Sequence, residues 1–198
     1  MFTGIVSHQG VFRGYRKGRA ELAVEAPGLA ARIAAGGSVA VDGVCLSLAS
    51  SKGDELRFDL SRETLAKTTL GGLRPGASLN LELPLTLAAP VGGHLVSGHV
   101  DGVGRVLRVC ARAAGRRLAV SFPAALRPYV VPKGSVAVSG VSLTVASLGA
   151  SSFEAELVPL TVAGTNLGAL RAGARVNLEC DMVGKYVYNW LSRGRKSG

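Results

Sequence analysis

The chain has 198 residues, 47% of them hydrophobic, and its 23 Lys and Arg outweigh 13 Asp and Glu for a formal net charge of +10. The length suits one large domain or two of about 100 residues, and no apolar run approaches the roughly 20 residues of a membrane span. Three scattered cysteines with no CxxC pair argue against a disulfide or zinc framework, and aromatics at 5% leave the basic charge without the stacking platforms of a single-strand nucleic-acid binder.

In chain order, Met1-Phe-Thr-Gly-Ile-Val6 opens with neither a basic region nor a long apolar segment. No secretory signal is expected, and the chain is read as cytoplasmic with Cys45, Cys110 and Cys180 reduced. Short valine-rich runs among 27 glycines predict an all-β fold with tight turns. The candidate strands are 4–14, 19–25, 38–42, 45–50, 55–60 and 78–83, then 98–109, 117–122, 135–139, 142–148, 152–157 and 175–179. Short helical turns fit at 27–33, 63–68 and 123–130, and Thr86-Leu-Ala-Ala-Pro-Val-Gly-Gly93 has the Pro and Gly of a connection. Near the end the period changes: Val183, Tyr186, Val187, Trp190 and Leu191 share one helical face, with Asp181 placed to cap its start and Arg193 near its negative end. So short a helix needs a partner for its stripe; its own domain and the same helix in other subunits both remain open. The basic residues cluster only at Arg13–Arg19 and Arg193–Lys196.

The sequence repeats itself. Gly37-Ser-Val-Ala-Val-Asp-Gly-Val-Cys-Leu-Ser-Leu-Ala-Ser50 returns as Gly134-Ser-Val-Ala-Val-Ser-Gly-Val-Ser-Leu-Thr-Val-Ala-Ser147, an offset of 97. The same offset carries Thr64 onto Thr161, Thr68 onto Thr165 and the Asn80–Glu82 block onto Asn177–Glu179, while Thr3-Gly4 matches Ser97-Gly98 at 94. A period this long is a whole small domain, and six antiparallel strands in each half can close into a barrel that leaves no free edge.

Alternation along a strand puts Cys45 and Ser47 on one face, and Ser142 and Thr144 on another. Rows of small polar groups suit a surface that hydrogen-bonds a polar ring, although an ordinary wet face has the same pattern. His94 and His99 lie in a glycine-rich stretch, Gly92 to Asp101, that permits close approach of a ligand. Imidazole suits proton transfer near neutral pH, while the HxxxxH spacing without a carboxylate set is weak evidence for metal. No Walker loop, dinucleotide-binding GxGxxG or GxSxG elbow is present, and Cys45 has no Cys-His-Asn pattern beside it.

Taken together, Met1-Phe-Thr-Gly-Ile-Val6, Gly43-Val-Cys-Leu46, Glu63-Thr-Leu65, Gly92-Gly-His94, Gly98-His-Val-Asp-Gly102, Gly140-Val-Ser-Leu-Thr-Val145 and Val176-Asn-Leu-Glu179, with Asp181 and Lys185-Tyr-Val187, resemble the riboflavin synthase α-chain family. The blocks run through nearly the whole chain in family order. The resemblance implies two tandem six-stranded antiparallel barrels, 1–88 and 89–180, and a helix within 181–198 that joins three chains. It implies an enzyme without cofactor or metal, in which two molecules of 6,7-dimethyl-8-ribityllumazine exchange a four-carbon unit to give riboflavin and 5-amino-6-(ribitylamino)uracil. It also sets the active site between the N-terminal barrel of one subunit and the C-terminal barrel of the next. By the same resemblance, His99, Cys45, Ser142 and Asp181 take catalytic roles. Phe2, Thr3, Gly4, Ser38, Ser47, Ser61 and Thr64 from the first half, and Lys133, Thr144, Val158 and Thr161 from the second, bind substrate. The site with His99 and Cys45 is read as the donor's, and the site with Asp181, Lys133 and the Ser142–Thr144 pair as the acceptor's.

The chain departs from the family pattern at Ser47 (commonly Thr), at Ser139 (usually Asp), at Leu160 (usually polar) and in the linker Ala88–Val91, which lacks a charged pair. These touch loop geometry more than reaction class. The competing readings are a lumazine- or flavin-carrying relative without turnover and a basic double barrel that binds nucleic acid. The first would be expected to lose site residues from one half, and both halves keep theirs; the second predicts steeply salt-dependent binding.

Overall fold

The computed structural model describes residues 1–194. The end of the expected 181–198 segment, with Arg195 and Lys196 of the second basic cluster, lies outside the described residues. In the first half, β1 (His8–Arg16), β2 (Glu21–Glu25), β3 (Ser38–Val41), β4 (Val44–Lys52), β5 (Glu55–Asp59) and β6 (Ser78–Glu82) close into an antiparallel barrel in the order β1-β2-β5-β4-β3-β6. Alternating apolar residues such as Leu46 and Leu48 on β4 and Leu56 and Phe58 on β5 point inwards and meet Phe12, Leu22, Val24, Val39 and Leu81 in one core.

The second half repeats the plan with β7 (Gly102–Arg112), β8 (Gly115–Ser121), β9 (Ser135–Val138), β10 (Val141–Thr144), β11 (Ser147–Leu148), β12 (Ser152–Leu157) and β13 (Arg175–Cys180). Its sheet has seven strands, in the order β10-β9-β13-β7-β8-β12-β11, where six were expected. The predicted strand 142–148 is divided. Val145 exchanges its N–H and C=O with Gly134 and Lys133 on one side, and the next residue, Ala146, turns its N–H to Glu154 on the other. The core again forms from alternating residues, among them Val120, Val136, Val138, Leu143, Phe153 and Leu178.

Two predicted strands start later than expected. Residues 2–6 and 96–100 leave their own sheets, so β1 begins at His8 and β7 at Gly102. Phe2 and Val96, equivalent under the repeat, instead bridge each other through paired backbone hydrogen bonds of 2.7 and 3.0 Å. Beside them the hairpin turns Asp42-Gly43 and Ser139-Gly140, with positive φ at all four residues, meet back to back. A Cβ on Gly43 would stand 2.6 Å from the Gly140 nitrogen. The two halves are therefore related about a pseudo-twofold that runs through this joint.

Two short helices recur at equivalent places, α1 (Arg62–Lys67) and α2 (Pro159–Gly164), the second unforeseen in the sequence reading. The predicted turns at 27–33 and 123–130 are short 3-10 segments, Ala30–Arg32 and Ala124–Tyr129. Helix α3 (Met182–Gly194) starts where the change of period put it, and Asp181 Oδ1 accepts the Val183 N–H at 3.0 Å. One side of α3 rests on the 3-10 turn through Tyr188, whose ring meets Tyr129 edge-on at 5.3 Å. The predicted stripe stays largely in solvent: Trp190 is 79% exposed and Tyr186 73%, with Val183, Val187 and Leu191 beside them. No helix among the described residues is long and apolar enough to cross a membrane.

Candidate active site: two cavities and the straps exchanged between the halves

Each segment that leaves its sheet is held by a buried glutamate at its base. Glu82 on β6 accepts hydrogen bonds from Thr3 N–H (2.7 Å), Thr3 Oγ1–H (2.7 Å) and Gly4 N–H (3.0 Å). Glu179 on β13 accepts the same three from Ser97 N–H (2.7 Å), Ser97 Oγ–H (2.6 Å) and Gly98 N–H (3.0 Å). Burial pushes the Glu82 carboxyl upward, and the bonds from Thr3 and Gly4 oppose that push.

From these anchors the straps cross to the other half. The Gly98 carbonyl accepts the Cys45 N–H, and the Gly4 carbonyl accepts the Ser142 N–H, both at 2.8 Å. The approach requires glycine. Gly98 has φ +83° and an added Cβ would lie 2.5 Å from Cys45 Cβ, while Gly4 has φ +74° and would meet Ser142 Cβ at 2.6 Å.

The first cavity, about 620 Å³, is lined by Val44 and Cys45 of β4, Ser61, Glu63, Thr64, Lys67 and Thr68 around α1, and the strap residues Gly98 to Gly102. Ser61 caps α1: its Oγ accepts the Thr64 N–H at 2.9 Å and lies 2.8 Å from Thr64 Oγ1, so the two hydroxyls form one polar corner. Cys45 and the exposed His99 also line the cavity. A thiol, an imidazole and two hydroxyls supply donors and acceptors to a polar heterocycle, and the imidazole can carry a proton.

The second cavity, about 400 Å³, is its counterpart, lined by Lys133, Ser142, Leu143, Thr144, Ala146, Glu156, Val158 and Thr161. Here Val158 replaces Ser61 and gives no side-chain cap, and Pro159 begins the helix instead. Lys133 holds a positive φ of 64° at the place Gly36 occupies in the first half. Both volumes fall in the range of small-molecule sites, and the two linings share no residue.

Most residues singled out in the sequence are brought to these two places. Cys45, Ser61, Thr64 and His99 line the first cavity, and Lys133, Ser142, Thr144, Val158 and Thr161 the second. Others stand back. Ser38 faces Ser47 across the β3–β4 pair, outside the lining. Phe2 is fully buried between the halves with Ala40, Val96 and Ala137, packed against Cys45 from beneath. Thr3 spends its hydroxyl on Glu82 of its own half, and Gly4 lies against Ser142 of the second half.

The sequence reading left His94 out of the site. Its Nδ1 lies 2.7 Å from Ser142 Oγ, its backbone N–H donates to the Thr3 carbonyl at 3.1 Å, and its Nε2 is buried without a partner. Burial holds this histidine below its ordinary range, and the charge of Asp181 pulls the other way. Asp181 lies outside both linings, and its carboxylate caps α3. The pairing of His94 with His99 in one glycine-rich stretch was the signal that could have found it.

Comparison with known proteins agrees with this geometry. The lumazine binding domain family matches residues 3–84 and again 97–181, one match to each half. Riboflavin synthase of Mycobacterium tuberculosis is 42% identical over 193 residues, covering 94% of this chain and 96% of that protein. Riboflavin synthase of Bacillus subtilis is 33% identical over 199 residues, covering 100% and 93%. Among solved structures, LumP complexed with riboflavin superimposes with a TM-score of 0.85 at 23% identity, over 91% of this chain and 99% of that one. LumP complexed with 6,7-dimethyl-8-(1'-D-ribityl) lumazine gives 0.81 at 22% identity over the same shares, a likeness of fold. With both halves matched and near full-length relatives at this identity, the chain belongs to the riboflavin synthase family of duplicated lumazine-binding proteins.

Proposed function

We propose that the protein is a riboflavin synthase in the full sense: two molecules of 6,7-dimethyl-8-ribityllumazine exchange a four-carbon unit to give riboflavin and 5-amino-6-(ribitylamino)uracil, with no cofactor. The observation that carries this reading is the pair of cavities built from equivalent elements of the repeat, the first lined by the strap from the second half and the second containing Ser142, whose N–H bonds the strap from the first half. A reaction between two like molecules calls for two like sites. Holding both rings in register is worth about 7–11 kcal/mol, the range for well-oriented partners, whereas one proton-transfer group adds about 10²- to 10⁴-fold. Alignment therefore does most of the work, and no single side chain is indispensable.

In this reading the first cavity holds the donor, with His99 and Cys45 moving a proton or activating water, and the second holds the acceptor, with Ser142, Thr144, Lys133 and Asp181. Ser38 and Ser47 extend the first site along the strands, Ser61 and Thr64 bind its ring or ribityl hydroxyls, and Val158 and Thr161 do so in the second. Phe2, Thr3 and Gly4 shape the strap. The division is into domains 1–88 and 89–180 and a terminal segment 181–198 that begins with helix α3.

Because the linings share no residue, the two bound rings meet when the first cavity of one copy faces the second cavity of another. The exposed stripe of α3 supports a homotrimer formed through that helix, and the setting is the cytoplasm. Purified protein incubated with the lumazine is expected to form one riboflavin for every two lumazines consumed, read by absorbance. Lumazine bound stoichiometrically with no riboflavin formed would identify a carrier and overturn the reading.

A further inference from the structure

We propose that the Asp101–Lys185 ion pair is a positioning device for His99, through which helix α3 sets the geometry of the first cavity. The proposal rests on the activity assigned above. The strap from Ser97 to Gly102 is held at both ends. Glu179 holds Ser97 and Gly98. At the far end the Asp101 N–H donates to the Leu178 carbonyl at 2.8 Å, and Asp101 Oδ2 accepts the Cys180 N–H at 2.8 Å and lies 2.6 Å from Lys185 Nζ in the first turn of α3. His99 lies midway, its N–H on Ser97 Oγ at 3.2 Å and its ring in the cavity that Asp101 also lines.

The equivalent strap in the first half keeps the backbone tie but has no ion pair among the described residues. Under the repeat, Ser7 stands for Asp101 and Ala88 for Lys185, and the far end is held by Ser7 bonding to the Leu81 carbonyl. That strap carries Ile5 where this one carries His99. The ion pair thus accompanies the one strap with a titratable tip, and with side chains 28% and 22% exposed it is shielded enough to hold its geometry. The face of α3 with Val183, Tyr186 and Trp190 is open. Copies that associate there would immobilise α3, and Lys185 would pass that rigidity to His99.

The test compares the full chain with K185M and K185R. Misplacement of a reacting group by about 1 Å can cost about 10²-fold, so K185M, which keeps the stem and loses the charge, is expected to lower kcat by about tenfold or more. KM should stay within about twofold, since Lys185 lines neither cavity. K185R is expected to restore kcat to within about twofold. In the ligand-free protein the His99 ring resonances should shift in K185M while those of His8 stay in place, a readout that needs no turnover. If the parent forms no riboflavin, the activity reading fails and the resonances still decide the positioning claim. Parental kcat and unmoved His99 resonances in K185M would overturn the proposal. So would a K185R that fails as K185M does with all three histidines displaced, which would make Lys185 a structural strut.

Discussion

At the residue scale, the first site depends on Gly98, whose φ of +83° and 2.5 Å clearance to Cys45 Cβ admit no side chain. Gly98→Ala is expected to cost about 1–3 kcal/mol of stability, measured by urea unfolding, and to lower activity by lifting the strap from β4. His99→Ala leaves the strap intact. If alignment dominates, it should slow single turnover by about 10²-fold without abolishing it; an unchanged rate would leave the histidine no chemical role. Cys45, Ser142 and Thr144 could be read from sequence because strand alternation fixes the face each shares with its neighbours. His94 could not, since its contact with Ser142 arises only when the strap from Thr3 crosses to the second half.

At the element scale, the strands of both halves were largely legible, because buried alternation and turn residues are local signals. The straps were misread as the first turns of strands. Their alternation is real, but the carboxylates of Glu82 and Glu179 take the backbone N–H groups that a sheet would otherwise pair. Glu82→Gln keeps one acceptor oxygen for three donors and should cost about 1.5–3 kcal/mol, again by urea unfolding. Helix α3 was legible from its change of period, but its partner was not, since a stripe shows what must be covered and not by what. With the stripe in solvent, removal of residues 183–198 is expected to reduce the mass in solution from trimer to monomer by light scattering. An unchanged mass would give the helix an intramolecular role.

For the whole molecule, the joint between the halves carries a pH dependence that no motif announced. Asp42 Oδ1 accepts the Asn80 N–H at 2.8 Å and a proton of Asn166 Nδ2 at 2.9 Å, and Asn177 Nδ2 donates to the Asp42 carbonyl at 2.9 Å from the other half. Burial, partly offset by the bonds from Asn80 and Asn166, pushes this carboxyl up to about 7. The unfolded chain releases the same proton near the ordinary value of about 3.9. The stability it confers is therefore fully present below about pH 4 and is lost as pH rises through about 7. Tm is expected to fall between pH 5 and pH 8, with Asp42→Asn flattening most of the slope; an equal slope in the variant would remove Asp42 as its source. Ser139, at the equivalent turn, has no carboxylate to titrate, so the joint is symmetric in backbone and asymmetric in charge.

The duplication itself was the plainest sequence signal, and the claim drawn from it is that each chain holds two like molecules in two like cavities. Calorimetric titration of the intact chain with a non-reacting ribityllumazine analogue tests this most directly. Two ligands per chain are expected at saturation, falling to one when Cys45→Trp fills the first cavity and to one when Ser142→Trp fills the second. A single ligand per parental chain, lost in only one of the two variants, would contradict it.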